Sequence, residues 1–284
     1  MIKLVECPRD AMQGIPDFIP TETKIRYLNA LLRVGFDTLD FGSFVSPKAV
    51  PQLRDTPEVL AGLDLQQTRT KLLAIVANRR GAEEAVRFDA IRYLGFPLSV
   101  SETFQQRNTN KSIAEAFEEV RAIKTLCKAA GKELVVYLSM GFGNPYGDPY
   151  SPETVAAYAG RLIELGITIL APSDTVGTST PDQIEALFRH LLETFPGIEF
   201  GAHLHARPGE TAEKVRAARR AGIVRFDGAL RGYGGCPMAA DELTGNLPTE
   251  EIIQLLDEEN AAPPLNRAAL AEALALSGEV FRRV

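Results

Sequence analysis

The sequence predicts an α/β fold: a (β/α)8 barrel of the TIM type with extra helices at its C-terminal end. Three observations lead there. Short apolar runs rich in Val, Ile and Leu alternate with longer amphipathic stretches, the pattern of a parallel sheet covered by helices. Eight such runs can be counted, separated by seven helical stretches, and eight units close into a barrel. No Gly-x-Gly-x-x-Gly follows the first run, which argues against a doubly wound open sheet.

Taken in order, strands are expected at 2–6, 38–41, 71–76, 91–96, 133–139, 168–171, 198–205 and 225–229. Helices are expected at 21–34, 57–63, 81–88, 112–130, 152–165, 181–194 and 209–221. Ser151-Pro152-Glu153 and Thr180-Pro181-Asp182 place a capping hydroxyl before Pro at the first helical position. Gly166 and Gly222 stand where helices should stop. After the eighth strand, Gly232-Tyr233-Gly234-Gly235-Cys236-Pro237 is too rich in glycine for a helix. The tail, 249–284, carries helical patterns at 250–258 and 266–283, parted by Ala261-Ala262-Pro263-Pro264. Residues 1–284 are thus expected to form one barrel domain, with 249–284 as its helical extension.

Composition narrows the function. The chain has 284 residues, 45% hydrophobic and 24% charged, enough for a sizeable core. A net charge of −6 offers no basic footprint for nucleic acid. Cys7, Cys127 and Cys236 are scattered and odd in number, against a disulfide framework. The N-terminal stretch Met1–Glu6 is too short and too charged for a signal peptide. No apolar run approaches the ~18 residues of a membrane span. A cytoplasmic, reducing home is expected.

The chemistry gathers at one rim. In such a barrel, reacting groups lie at the C-terminal ends of the strands. The seventh strand ends in His203-Leu204-His205, two of the three histidines in the chain. Side chains alternate along a strand, so both imidazoles point the same way, about 6–7 Å apart at Cα, and can share one divalent ion. Arg9, Asp10 and Gln13 follow the first strand; Asp40 and Ser43 end the second; Asn78 follows the third. Ser101, Asn108 and Asn110 fall in a long loop after the fourth, Tyr137 in the fifth with Asn144 beyond it. Asp174 follows the sixth, and Cys236 and Asn246 the eighth. Taken singly, most have a structural reading: Asp10 as a turn cap, Asp174 as a turn residue, Cys236 as a buried thiol, Arg9 as a partner of Glu6. As a set, one carboxylate, two imidazoles and one amide oxygen make a mixed shell suited to labile Mg²⁺ or Mn²⁺. The third histidine, His190, sits in the helix at 181–194, away from the rim.

These residues carry a family resemblance. Cys7-Pro8-Arg9-Asp10-Ala11-Met12-Gln13 resembles the opening motif of 3-hydroxy-3-methylglutaryl-CoA lyases, and Ser43-Phe44-Val45-Ser46-Pro47-Lys48 resembles their second-strand signature. Ser173-Asp174-Thr175-Val176-Gly177, His203-x-His205, Gly234-Gly235-Cys236-Pro237 and Gly245-Asn246-Leu247-Pro248-Thr249-Glu250 fall in the family's order. Condensing relatives such as isopropylmalate and homocitrate synthases share the barrel and metal site but lack the Gly-Gly-Cys-Pro loop. The resemblance implies a metal on Asp10, His203, His205 and Asn246, Arg9 beside the substrate carbonyl, and Cys236 on a mobile loop. It implies retro-Claisen cleavage of the acyl-CoA to acetoacetate and acetyl-CoA.

On that reading Arg9, Asp10, Asp40, His203 and Cys236 are the catalytic candidates, and Gln13, Ser43, Asn108, Tyr137 and Asp174 the substrate-binding ones. A homodimer acting on an acyl-CoA, away from nucleic acid and membrane, is expected. Asp40 stands where those lyases usually have Glu, Ala11 replaces Gly, and Gly14-Ile15-Pro16 replaces a segment that usually carries Lys. Ala206-Arg207-Pro208 replaces Asp-Thr-Tyr after the histidines. Arg107 and Asn108 are expected to take over CoA contacts. The alternatives are a related acyl-CoA lyase, a condensing synthase or aldolase on another 2-oxo or hydroxy acid, and a barrel that binds acyl-CoA without turnover.

Overall fold

The computed structural model describes residues 1–235 and 244–281. Eight parallel strands form the barrel: β1 (Lys3–Glu6), β2 (Thr38–Ser43), β3 (Lys71–Ile75), β4 (Ile91–Ser99), β5 (Glu133–Ser139), β6 (Ile169–Asp174), β7 (Glu199–Ala206) and β8 (Arg225–Gly228). Neighbours in sequence pair in parallel throughout, and β8 pairs with β1, from Lys3 opposite Arg225 to Glu6 opposite Gly228, which closes the sheet. Around it lie α1 (Pro8–Gln13), α2 (Thr21–Val34), α3 (Thr56–Ala61), α4 (Arg79–Ala85), α5 (Glu102–Thr109), α6 (Ile113–Ala129), α7 (Pro152–Glu164), α8 (Pro181–Thr194) and α9 (Thr211–Ala221). The tail supplies α10 (Thr249–Glu258) and α11 (Arg267–Val280).

Helix boundaries follow local chemistry. α2 and α8 span the expected residues. Gly35 ends α2 at φ 89°, a left-handed cap that costs glycine little. Thr180 and Gln183 close α8 with a reciprocal capping box, as Ser112 and Glu115 do for α6.

Where structure and expectation differ, the cause is visible. β4 and β6 run on to Ser99 and Asp174, past the expected ends at 96 and 171. Pro97 and Pro172 mask the continuation, because a proline demotes a strand in sequence. The loop expected after β4 contains α5, which is capped by Ser101 accepting from Phe104 N and stopped by Asn110 at φ 56°. Its sequence, Glu-Thr-Phe-Gln-Gln-Arg-Asn-Thr, has one apolar residue and so no amphipathic period. α1 starts two residues after β1 and is six residues long, too short for a periodic signal. The two-residue β9 (Gly245–Asn246) pairs antiparallel with β7, placing Asn246 opposite His205.

Apolar packing has two layers. The larger lies between strands and helices, and includes Leu28, Leu31, Phe36, Phe96, Val120, Phe188 and Phe226. A smaller one fills the lumen on the side of β3 to β6: Leu73, Ile75, Tyr93, Val135, Tyr137, Ile169 and Ala171. These are alternate residues along each strand, so they share the inward face. The inward residues of β7 and β8, by contrast, include His203, His205, Arg225 and Asp227, all polar.

Two polar ties secure the segments next to the rim. Gln52 donates to Ile15 O and Asp17 O and accepts from Ile19 N, while Lys24 donates to Asp55 at 2.7 Å. Together they pin the turn that follows α1. Glu6, fully buried on β1, accepts from Leu230 N at 2.9 Å and from the Thr249 hydroxyl at 2.5 Å. It therefore joins β1 to the start of α10 and makes no ion pair with Arg9. Burial pushes its pKa up to about 8, against the pull of those two donors.

The folded state thus holds a proton on Glu6 that the unfolded chain has released, so stability falls as pH rises from about 4.5 to about 8. Replacing Glu6→Gln removes this titration. The stability of the variant relative to wild type should improve across that window, by at most about 1.4 kcal/mol per pH unit. Urea unfolding at pH 5 and pH 8.5 measures it, and an equal difference at both would contradict the buried proton.

Candidate metal centre and active site

A cavity of about 330 Å³ opens at the C-terminal ends of the strands. One wall is polar, with Arg9, Asp10, Gln13, His203 and His205; the other carries Val45, Val50, Ile75, Pro97 and Phe104. The short helix α1 begins immediately after β1 and turns Arg9, Asp10 and Gln13 over the barrel mouth. Arg9 and Gln13 are one helical turn apart, and Arg9 Nη1 donates to Gln13 Oε1 at 3.0 Å.

Arg9 is the hub of the polar wall. Its Nε and Nη2 donate to Asp40 Oδ2 at 3.0 and 2.5 Å, and its Nη1 donates to Asp10 Oδ1 at 2.8 Å. Asp40 is fully buried behind Arg9 and does not line the cavity. Burial raises its pKa to about 6 against the pull of Arg9, so at neutral pH it remains the anion that the guanidinium fork requires. Burial also opposes the charge on Asp10, but Arg9 and the two histidines outweigh it and hold this carboxyl below the usual range.

Asp10, His203 and His205 each bring a ligand atom within 4.8 Å of the others. His205 Nδ1 lies 3.0 Å from the carbonyl of Thr175, and only a protonated Nδ1 can bond there, leaving a lone pair on Nε2. That Nε2 is buried and has no hydrogen-bond partner among the described residues. Burial, then the neighbouring His203, lowers the pKa of His205 to about 4, so the ring is neutral. His203 Nδ1 lies 3.2 Å from Asp227 Oδ2. Burial opposes its protonation, but the hydrogen bond and charge of Asp227 outweigh that and raise its pKa. Asn246 Nδ2 donates to Asp10 Oδ2 at 2.8 Å and to Tyr233 O at 2.9 Å, so the carbonyl oxygen is what Asn246 can offer a cation. An oxygen–nitrogen donor set around an orphaned imidazole nitrogen fits a divalent ion.

The remaining candidates separate. Gln13, Asn108 and Tyr137 line the cavity, with the Tyr137 ring edge-on to His203 at 5.4 Å. Ser43 and Asp174 do not line it. The Ser43 hydroxyl accepts from Val45 N. Asp174 takes bonds from Thr178 N, Ser179 N and the Ser179 hydroxyl, and from Lys214 Nζ at 3.0 Å. Ser101 and Asn144 both bond Asp148 and tie α5 to the loop after β5, while Asn78 caps α4. Arg107 stacks over Tyr146 at 4.7 Å. His190 lies on α8, outside the barrel. Cys236 lies outside the described residues. Cys7 is buried, and burial together with Asp227, Asp40 and Asp10 pushes its thiol well above the ordinary value.

Three contributors were missed by sequence reasoning. Asp227 sits under His203; the Thr175 carbonyl holds His205; and Lys214 donates to Asp174, Gly177 O and His205 O, locking the ends of β6 and β7 together. Asp227 carried a signal, being a carboxylate two residues after Arg225 on a buried strand. A backbone carbonyl and a helix lysine carry none.

The model of the HMGL-like family matches residues 2–276. The chain belongs to the HMGL-like family. It is 36% identical over 251 residues to the hydroxymethylglutaryl-CoA lyase YngG of Bacillus subtilis, covering 88% of this chain and 83% of that one. Among solved structures, the HMG-CoA lyase of Brucella melitensis superposes with a TM-score of 0.92 at 30% identity, covering 99% of both chains. An HMG-CoA lyase of Acinetobacter baumannii, in complex with coenzyme A and 3-methylmalate, gives 0.91 at 30% identity, covering 99% of this chain and 91% of the other. An HMGL-like chain of this kind is an HMG-CoA lyase-like enzyme on a TIM barrel, and among the described residues no helix is long and apolar enough to cross a membrane.

Saturating Mn²⁺ should raise the melting temperature by several degrees, since ligand at ~100 times Kd adds about 2.7 kcal/mol. EDTA should reverse the shift, and His205→Ala should abolish it. Differential scanning calorimetry reads all three, and an undiminished shift in the variant would remove His205 from the ligand set.

Proposed function

We propose that this chain is a divalent-metal-dependent carbon–carbon lyase that cleaves 3-hydroxy-3-methylglutaryl-CoA to acetoacetate and acetyl-CoA. The observation that carries the reading is the convergence of Asp10, His203 and His205 on one cavity wall, with Arg9 bonded to Asp10 beside them. Asp10, His203, His205 and Asn246 would hold Mg²⁺ or Mn²⁺, which supplies Lewis acidity at the tertiary hydroxyl.

The protein's own groups then have separable tasks. Arg9 is oriented by Asp40 and Gln13, so its positive charge is fixed before substrate arrives. As the tertiary hydroxyl gives its proton to Asp10 or His203, the preorganised charge of Arg9 stabilises the thioester enolate that forms when the bond between C2 and C3 breaks. The apolar wall of Val45, Val50, Ile75 and Phe104 excludes water from that enolate. Asn108, on α5, lines the same cavity and is assigned to the acyl chain or its thioester arm. Cys236 is the proposed acid that protonates the enolate carbon, since a thiol of pKa ~8.5 can donate at neutral pH. The complex of coenzyme A with the Acinetobacter baumannii relative supports an acyl-CoA substrate.

Acetoacetate release from 3-hydroxy-3-methylglutaryl-CoA, with Mg²⁺, Mn²⁺ or EDTA, tests the reading. Metal-dependent release should fall about 10²–10⁴-fold in Cys236→Ala. No release with any metal would redirect the assignment to another acyl thioester, and release of free CoA from acetyl-CoA with a 2-oxo acid would indicate a condensing synthase.

A further inference from the structure

Beneath the two histidines the lumen holds polar groups that the reaction above does not use. Arg225 and Asp227 lie two apart on β8 and so share its inward face; each is 1% exposed. Asp227 meets His203 through Oδ2 at 3.2 Å, and its Oδ1 has no hydrogen-bond partner among the described residues. The same is true of Arg225 Nε and Nη2 and of the Tyr137 hydroxyl. Arg225 Nη1 donates to Glu199 at 3.2 Å.

Room for these groups is made by two glycines. A Cβ on Gly201 would stand 2.9 Å from Arg225 Cδ, and one on Gly95 would stand 2.5 Å from Ile75 Cδ1 and 3.2 Å from Tyr137 Cε2. Neither glycine has a left-handed backbone, so space explains them, not conformation. Gly201 shares the inward face of β7 with His203 and His205, two and four residues on.

A guanidinium that only plugged the barrel floor would be served by Glu199. Here Arg225 Nε, Arg225 Nη2 and the Tyr137 hydroxyl are buried with no hydrogen-bond partner among the described residues, and buried groups of this kind are satisfied by ordered water. Burial opposes the charge on Arg225, and the carboxylate of Asp227 is the foremost neighbour restoring it.

We propose that Asp227, anchored from below by Arg225 and by ordered water shared with Tyr137, is the positioning residue that fixes His203 for a divalent ion. The inference rests on Asp10, His203 and His205 being metal ligands. An anionic acceptor at Nδ1 holds the imidazole in the tautomer whose Nε2 carries the lone pair, and fixes the ring's rotation. Arg225 acts through Asp227. Its own positive charge repels a cation, so Coulomb's law alone would have its removal tighten metal binding. A positioning role predicts the opposite sign.

Mn²⁺ affinity of the full chain, read by calorimetry or by the EPR signal of free Mn²⁺, tests this. Asp227→Asn should weaken binding about 10–100-fold. Arg225→Met should weaken it in the same direction, Arg225→Lys should restore part of the loss, and Tyr137→Phe, which deletes one hydroxyl, should produce a smaller loss. Unchanged Mn²⁺ affinity in Asp227→Asn, with or without a lower melting temperature, would overturn the proposal. So would tighter binding in Arg225→Met. If Arg225→Met does not fold, Asp227→Asn and Arg225→Lys still decide it. Asp10→Ala separates the two readings: if wild type binds no Mn²⁺, or Asp10→Ala binds as well as wild type, the metal site itself fails. Loss in Asp10→Ala with none in Asp227→Asn would sink only the positioning role.

Discussion

Charge balance inside a closed barrel is the constraint on which the site depends. Three carboxylates, Asp10, Asp40 and Asp227, and two guanidinium groups, Arg9 and Arg225, are buried within or at the mouth of the lumen. Unpaired, any one of them would be expensive to bury. Arg9 spans Asp40 and Asp10, and Arg225 bonds Glu199 while the nearby charge of Asp227 favours its cation. One negative charge is left over among the five, next to two imidazoles, of which His205 keeps an Nε2 with no hydrogen-bond partner among the described residues. On the proposed reading, a divalent cation held by Asp10, His203 and His205 would turn that residue of negative charge into a net positive site.

The barrel makes the balance possible by dividing its lumen. The inward faces of β3 to β6 are mostly apolar or aromatic, with Ser139 and Ser173 at their upper ends, while β7, β8 and β2 point imidazole, guanidinium and carboxylate inward. Packing from the apolar half lowers the local dielectric, which strengthens every ion pair on the polar half. Small residues at Gly95 and Gly201 are part of this division, since a methyl group would displace Ile75 at the first and Arg225 at the second.

Segments far apart in sequence are joined at the rim by directional bonds. β9 pairs with β7 so that Asn246 faces His205, and the Asn246 amide donates to Asp10, 236 positions earlier in the chain. Lys214 reaches from α9 to hold the ends of β6 and β7. Glu6 ties β1 to α10. The C-terminal part of the chain is therefore wired into the site as well as covering the barrel.

Much of this was legible from residue order. Alternating apolar and amphipathic runs define eight β/α units, and a two-residue spacing alone puts His203 and His205 on one face of a strand. Arg9-Asp10 after the first strand and Asn246 after the eighth were recognisable because barrel chemistry collects at strand ends. α5 was hidden, since one apolar residue in eight leaves no period to read, and Pro97 and Pro172 concealed the full lengths of β4 and β6. Asp40 and Asp174 were visible as acids, but only the packed structure turns one toward Arg9 and the other toward Lys214 and the turn after β6. Asp227 under His203, the Thr175 carbonyl on His205 and the Arg225 floor are likewise decided by tertiary structure. Strand periodicity is a property of neighbouring residues, whereas which donor meets which acceptor depends on barrel closure and register, and these bring together residues that share no local pattern.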